Sequence, residues 1–252
     1  MKTYKPNKNT LLACAFLIIV VALITIPRQS DSKSRISETQ VNVQGKTKET
    51  DNYDGSLVEY DAKPKTSQVD PQQQILRQAR SNRYNNRAPE PLGDFVSIGF
   101  EINTDWNIGL QPLPIAQSDV VILGKVIDAQ AYLSSDKAGT YSEFTINVEK
   151  IFKNTEPPIS KSLVLEREGG VVKFATGRLL PYKIVGQRLP RIQREYVFFL
   201  KHNAQGDDYH IITAYGIYKD RILPLDEPQK FQVFNDMRAE QFFKTLQDEM
   251  AK

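Results

Sequence analysis

Apolar and polar positions fall into three regimes along the chain. From Leu11 to Ile26 every residue except Thr25 is apolar. From Pro27 to Glu90 single apolar residues are scattered among Ser, Thr, Gln, Asn, Asp and Lys with no sustained period. From Pro91 onward the pattern is that of β-structure, closed at the end by one helical stretch.

The β-pattern reads in order as follows. Asp94–Glu101 predicts a short strand, and Asn103-Thr104-Asp105 a turn before Trp106, the lone tryptophan, read as a core or cover residue. Pro112-Leu113-Pro114 blocks regular structure and delivers the chain to a long strand over Asp119–Leu133. Gly124 inside that strand predicts a bulge or sharp bend, which a closed barrel needs at its corners. Ser134–Thr140 reads as a hairpin connection. Phe144, Ile146 and Val148 alternate with Thr145, Asn147 and Glu149, the period of a half-buried strand. Thr155-Glu156-Pro157-Pro158 ends it. Leu163 and Leu165 open another strand, closed by Gly169-Gly170, with Val171–Phe174 expected to pair back. Tyr196–Leu200 is continuously apolar and reads as a central buried strand. Asn203–Asp208 makes a hairpin turn and Tyr209–Tyr218 the last long strand. After Asn235-Asp236, the residues Ala239, Phe242, Phe243, Leu246 and Met250 recur at helical spacing.

The expected fold is therefore mainly β: five or six strands forming a small closed β-barrel with a C-terminal α-helix. A disordered tether and an N-terminal transmembrane helix precede it. The boundaries are a cytoplasmic N-terminus at 1–10, a signal-anchor at 11–26, a polar linker at 27–90, the barrel at 91–227 and the terminal helix region at 228–252. The linker lacks the apolar area needed to offset its ordering entropy. One local exception is Asp70-Pro71-Gln72-Gln73, an N-cap followed by proline at the first helical position. It predicts a short helix over Pro71–Arg83 with Ile75, Leu76 and Ala79 on one side, read as a transient polar helix within the linker.

At about 1.5 Å per residue the apolar run from Leu11 to Ile26 spans roughly 24 Å, against a hydrocarbon core of about 30 Å. It reads as an uncleaved anchor, with a cleaved signal peptide as the alternative. Lys2, Lys5 and Lys8 ahead of it favour a cytoplasmic N-terminus, which places the domain in a periplasm or outside the cell. Cys14, the one cysteine, permits no intrachain disulfide. Leu11-Leu12-Ala13-Cys14 looks like a lipoprotein box, but its apolar core follows the cysteine instead of preceding it, so Cys14 is read as a membrane-helix residue.

The segments Ser-Asp-Val-Val-Ile-Leu-Gly-Lys-Val (118–126), Phe-Thr-Ile-Asn-Val-Glu-Lys-Ile-Phe-Lys (144–153) and Glu-Tyr-Val-Phe-Phe-Leu (195–200), in that order, resemble the netrin-like barrel. That OB-type fold includes the tissue inhibitors of metalloproteinases. With Glu-Gly-Gly (168–170) added, the pattern is also similar to a group of uncharacterised exported bacterial proteins. The resemblance covers about 100 residues and implies the barrel fold. In the inhibitors an N-terminal, disulfide-anchored cysteine ligates the protease zinc. No cysteine begins the domain here, so that activity is carried over to no residue.

The net charge of +3 does not by itself call for a polyanion partner. Two histidines and one cysteine argue against a Cys/His metal site, which needs about four such ligands. No nucleophile elbow, zinc-protease helix, P-loop or dinucleotide fingerprint is present, and no cofactor is implied. Glu166 and Glu168 lie two apart on a strand and so share a face. They read as a paired-carboxylate site or, more plainly, as a solvated strand edge. His202 and His210, with Asp207 and Asp208 between them, allow a drawn acid–base site or simply solvated or packed imidazoles. The one charge anomaly is Gly169–Arg194, which carries Lys173, Arg178, Lys183, Arg188, Arg191 and Arg194 without a single acid. With Phe174 and Tyr182 interleaved, it is a candidate surface for an acidic protein, an anionic glycan or lipid headgroups. The extracytoplasmic address argues against nucleic acid. The plain alternative is a long solvated loop, although Leu179, Leu180, Ile184 and Val185 predict that part of it folds onto the barrel. The sequence thus points to a membrane-anchored interaction module, with an envelope hydrolase or a purely structural envelope protein as the rival readings.

Overall fold

The computed structural model describes residues 57–60, 70–88, 91–93, 99–156 and 158–252, all within the compact unit Gly45–Lys252. The elements in chain order are β1 (Leu57–Glu59), α1 (Pro71–Arg83), β2 (Phe100–Ile102), β3 (Val120–Leu133), β4 (Thr140–Asn154), β5 (Ser162–Glu168), β6 (Gly170–Lys173), β7 (Leu179–Ile184), β8 (Glu195–Asn203), β9 (Asp208–Tyr218), β10 (Arg221–Pro224), a 3-10 turn (Phe231–Phe234) and α2 (Ala239–Met250). The protein is mainly β with a C-terminal helix.

The larger sheet runs in the order β10-β9-β5-β4-β3-β8, and β8 also pairs with β9. Each of β3, β4, β5, β9 and β8 therefore bonds to two of the others, and the pairings return to their starting strand. All are antiparallel except β5 with β9, a short parallel junction at Leu165–Tyr209 and Glu166–His210. Alternation explains the core. Val120 and Ile122 of β3, Phe144 and Ile146 of β4, Leu163 and Leu165 of β5, Phe198 and Leu200 of β8, and Ile211 of β9 meet in one buried cluster. Gly124 sits at a register shift in β3, as its place in the strand predicts. A Cβ there would come within 2.5 Å of the Ile146 side chain.

The opposite faces of the same strands carry α2. Val121, Val197, Phe199 and Tyr215 pack with Phe231, Phe242 and Leu246, so β8 is buried on both sides and reads as continuously apolar. Tyr215 sits between Phe199 and Phe242 and donates its hydroxyl to the Pro112 carbonyl at 2.5 Å. Trp106 covers this cluster, stacked on Phe231 at a centroid distance of 6.0 Å, as expected of a cover residue. The helix begins at Ala239, three residues beyond Asp236, which is used in a left-handed turn instead (φ 63°).

Three expectations are corrected. Val171–Phe174 does not pair back onto β5. Gly169 and Gly170, at φ 118° and 157°, turn the chain out of the larger sheet. Val171 and Val172 then build a second sheet in the order β1-β6-β7-β2. The Gly169–Arg194 segment is accordingly no solvated loop: its first half is the β6–β7 hairpin, buried through Val172, Leu180, Tyr182 and Ile184 against Leu92 and Phe174. The helix expected at Pro71–Arg83 is present, capped by the Asp70 carboxylate on the Gln72 amide (3.1 Å). It is docked, however, and through only part of the predicted apolar side: Ile75 is 63% exposed, whereas Leu76 and Ala79 are half-buried on the face that carries Arg80, 5% exposed. Residues 70–88 thus pack onto the larger sheet, through Glu143 and Tyr141 of β4, Glu166 of β5 and Asp208 of β9. No helix among the described residues is long and apolar enough to cross a membrane. The anchor expected at 11–26 lies outside the described residues, as does most of the 94–101 strand, of which Phe100 and Glu101 are seen in β2.

Candidate functional site

The site is built on one buried ion pair. Leu163 and Leu165 point into the core, and the same alternation puts Arg167 next in that inward row. A buried guanidinium needs a buried acid, and Asp226 supplies it: its two carboxylate oxygens accept from Arg167 Nη1 at 2.8 Å and Nη2 at 2.7 Å, with both side chains fully buried. Asp226 also accepts from the Thr213 hydroxyl (2.8 Å) and the Arg188 amide (3.1 Å). Arg167 in turn donates to the Arg188 carbonyl at 2.6 Å. The pair therefore grips the backbone of Arg188 by both its donor and its acceptor, and fixes the loop that follows β7. Further on, the Gln193 amide donates to the Val126 carbonyl (2.8 Å) and the Val126 amide donates to the Arg194 carbonyl (3.0 Å), which ties the loop's end to β3.

Held in this way, the loop walls a cleft of about 580 Å³. Among its lining residues are Lys183, Arg188, Arg191 and Arg194, so four of the six basic residues singled out in the sequence come together. Lys173 and Arg178 do not. They sit at the turn end of the β6–β7 hairpin, where Lys173 pairs with Leu179 in register and its ammonium lies 3.7 Å from Glu59. Five residue steps, about 17 Å of extended chain, separate Arg178 from Lys183. Within the cleft, Arg188 is matched by Glu227 at 2.9 Å, and both are exposed. Arg194 lies 4.6 Å over the Tyr218 ring. Lys183 and the Arg191 guanidinium have no acidic partner among the described residues. Tyr196, whose hydroxyl accepts from the Arg191 amide at 3.0 Å, joins Leu189, Ile217 and Leu223 in an apolar floor. Leu223 is 43% exposed, an apolar residue open to the cleft.

One wall of the cleft is Glu168, which also belongs to a second network. Arg80 reaches Glu143 (3.2 Å) and the Gly206 carbonyl (2.9 Å). Arg83 bridges Glu166 (2.6 Å) and Asp208 (3.0 Å), and Arg87 approaches Glu168 at 3.4 Å. Glu166 and Glu168 do share a face, as alternation requires, but they are paired beneath α1 and not a solvated edge. Burial pushes the Asp208 carboxyl above its ordinary value, and the Arg83 hydrogen bond offsets only part of this. Burial likewise raises Glu168, against the pull of Arg87 and of the Tyr182 hydroxyl, which donates to it at 3.2 Å. Tyr182 is itself pushed up by burial and by this carboxylate, so its hydroxyl stays a donor.

The two histidines are not brought together. His202 pairs in register with Tyr209, so His210, one residue on, projects from the other face. His202 contacts Glu156 at 2.8 Å and His210 contacts Glu166 at 3.0 Å. The residues that sequence reasoning missed are Arg167, Asp226 and the arginines of α1. For Arg167 a signal existed: an arginine continuing the inward row Leu163, Leu165. Nothing in the spacing pointed to Asp226, 59 residues away. Comparison with known protein families and with curated proteins finds no match to this chain.

Proposed function

We propose that this chain is a membrane-anchored, extracytoplasmic interaction module, with an OB-type, netrin-like barrel that captures an acidic, partly apolar segment of a partner protein in the 183–194 cleft. The barrel reading is supported by the circuit β3-β4-β5-β9-β8 back to β3 with its single parallel junction, the order of a five-stranded Greek-key barrel. The outward-packed α2 accords with it. The anchor reading is supported by the apolar run Leu11–Ile26 and the lysines before it.

One observation carries the binding reading. Lys183 and Arg191 line a cleft without acidic partners of their own among the described residues, beside tyrosines and an open leucine. Cations over aromatic and aliphatic floor suit a peptide that alternates carboxylates with apolar side chains better than they suit a polar glycan. The test is fluorescence anisotropy of a labelled peptide alternating glutamate and leucine, titrated with the full chain in detergent micelles. Binding should be salt-sensitive. It should fall at least tenfold in Arg191→Glu/Arg194→Glu, about 1.4 kcal/mol or more. It should be unchanged in Lys173→Glu/Arg178→Glu, which lies at the far end of the hairpin. Equal loss in both pairs would mean a diffuse charge effect, and no loss in either would end the assignment. Preference for a sulfated oligosaccharide over the peptide would move the ligand class to anionic glycan.

A further inference from the structure

Glu168 links the cleft to α1. It lines the cleft, and it is also the carboxylate that Arg87 reaches from the turn following α1. Its side chain is only 13% exposed, so its charge is poorly screened by water. Arg87 stands where it does because α1 is docked upstream of it. Arg80 and Arg83 are engaged with Glu143, Glu166 and Asp208, while Tyr84, 2% exposed, stacks on Tyr141 at 4.8 Å. The groups facing Glu168 are Arg87 beyond α1, Tyr182 on β7, Glu166 on β5 and His210 on β9. Arg87 is the one permanent cation among them. The remaining acids of the cleft are Glu227, matched by Arg188, and Glu195.

We propose that α1 sets the affinity of the cleft for its acidic ligand: docked, it delivers Arg87 to neutralise Glu168, and undocked it leaves that carboxylate on the cleft wall to repel an anion. This rests on the cleft being the anion site. The linkage is reciprocal, so an acidic ligand in the cleft favours docked α1 to the same extent that docked α1 favours the ligand. α1 is suited to such a role because, ahead of its cap residue Tyr84, its seat is held by the ion pairs of Arg80 and Arg83. Within the helix the apolar contribution is small, with Ile75 exposed and Leu76 and Ala79 half-buried.

The experiment is a double-mutant cycle on the full chain in micelles, read with the same glutamate–leucine peptide. Arg87→Gln should weaken binding about threefold to tenfold, the scale of a single partly screened charge contact. Glu168→Gln should bind at least as tightly as the unaltered chain, and adding Arg87→Gln to it should change nothing further. Ligand-free NMR gives a second reading: Arg87→Gln should move the Glu168 titration midpoint upward. Peptide saturation should also increase hydrogen-exchange protection of the α1 amides in the unaltered chain and not in Glu168→Gln. Binding that Arg87→Gln leaves unchanged would overturn the coupling while leaving the cleft assignment intact. So would equal losses from Arg87→Gln in both backgrounds, or an unmoved Glu168 midpoint. An unaltered chain that fails to bind the peptide at all would instead overturn the cleft reading, and the coupling with it.

Discussion

Replacing Asp226 with asparagine tests the centre of the architecture. The Asp226 carboxylate accepts from two Arg167 nitrogens, from the Thr213 hydroxyl and from the Arg188 amide, at distances between 2.7 and 3.1 Å, with no exposed surface. Asparagine keeps the shape but removes the charge, and it turns an amide N–H₂ toward groups that are themselves donors. The Arg167 guanidinium is left buried without a counter-charge, a change that costs about 3–5 kcal/mol. A domain of this size has a stability of only about 5–15 kcal/mol, so a large part of it is lost. With a urea slope near 2 kcal/mol/M, a loss of about 4 kcal/mol lowers the unfolding midpoint by about 2 M. Trp106 provides a local probe. It is the one tryptophan, its ring lies 5.7 Å from the Arg167 guanidinium, and it stacks on Phe231. Urea titration followed by Trp106 fluorescence and by far-UV circular dichroism should show both transitions moved together. A midpoint drop worth less than about 1 kcal/mol would refute the reasoning, because it would mean that water reaches Arg167 and that the pair does not hold the loop. Removing both partners, as Arg167→Met/Asp226→Leu, should cost less than Asp226→Asn plus Thr213→Val, since no unpaired charge then remains.

Two further predictions concern the larger sheet itself. Gly124→Ala places a Cβ 2.5 Å from Ile146 Cγ2 and 3.0 Å from the Asn147 carbonyl oxygen, so strand β4 must shift. A loss of about 1–3 kcal/mol in thermal or urea unfolding is expected, and an unchanged stability would mean that the bulge is absent. Burial tends to raise the Asp119 carboxyl, but the Lys201 ammonium (2.7 Å) and the His202 amide (2.9 Å) outweigh it and hold the group below its ordinary value. Its contribution to stability is therefore fully present above the unfolded-state value of about 3.9 and is lost as pH falls through the lower folded value. Asp119→Asn should be less stable than the unaltered chain at neutral pH, with the gap narrowing in acid. Parallel pH profiles would contradict the pairing.

How much of this was legible in the sequence depends on the range of the interaction that decided each feature. Period-two alternation at Phe144–Val148 and the continuous run Tyr196–Leu200 are local signals of a face packed on one or both sides, and both strands lie where the pattern put them. Gly124 announced its bulge because the steric reason lies at the residue itself. The fate of Val171–Phe174 was not local. The left-handed backbone at Gly169 and Gly170 redirects the chain into a sheet completed by β1 and β2, two three-residue strands with little pattern of their own. α1 was legible as a helix from its cap and proline, yet its docking was hidden. Its buried contacts are arginines, and an arginine on a polar helix looks the same whether it faces water or a buried carboxylate. The basic run was visible as composition, but its division into a cleft group and a distal pair follows from the β6–β7 register.

The same long-range pairing that hid the site explains why it holds its shape. A cleft walled by a loop of exposed cations would ordinarily lose affinity to loop ordering, since each immobilised side chain and backbone segment costs entropy on binding. Here Arg188 is clamped at both its amide and its carbonyl by the Arg167–Asp226 pair, and Arg194 is tied by its carbonyl to Val126. The backbone of the loop is thus held at both ends before any ligand arrives. The buried pair makes a poor case as a stabilising device, because well-packed apolar residues could replace it at little cost. Its value lies in fixing one backbone position between β5 and the cleft, which apolar packing alone does not specify. Asp226→Asn should therefore weaken peptide capture even under conditions where the domain remains folded, through a loop that has to be ordered anew at each binding event.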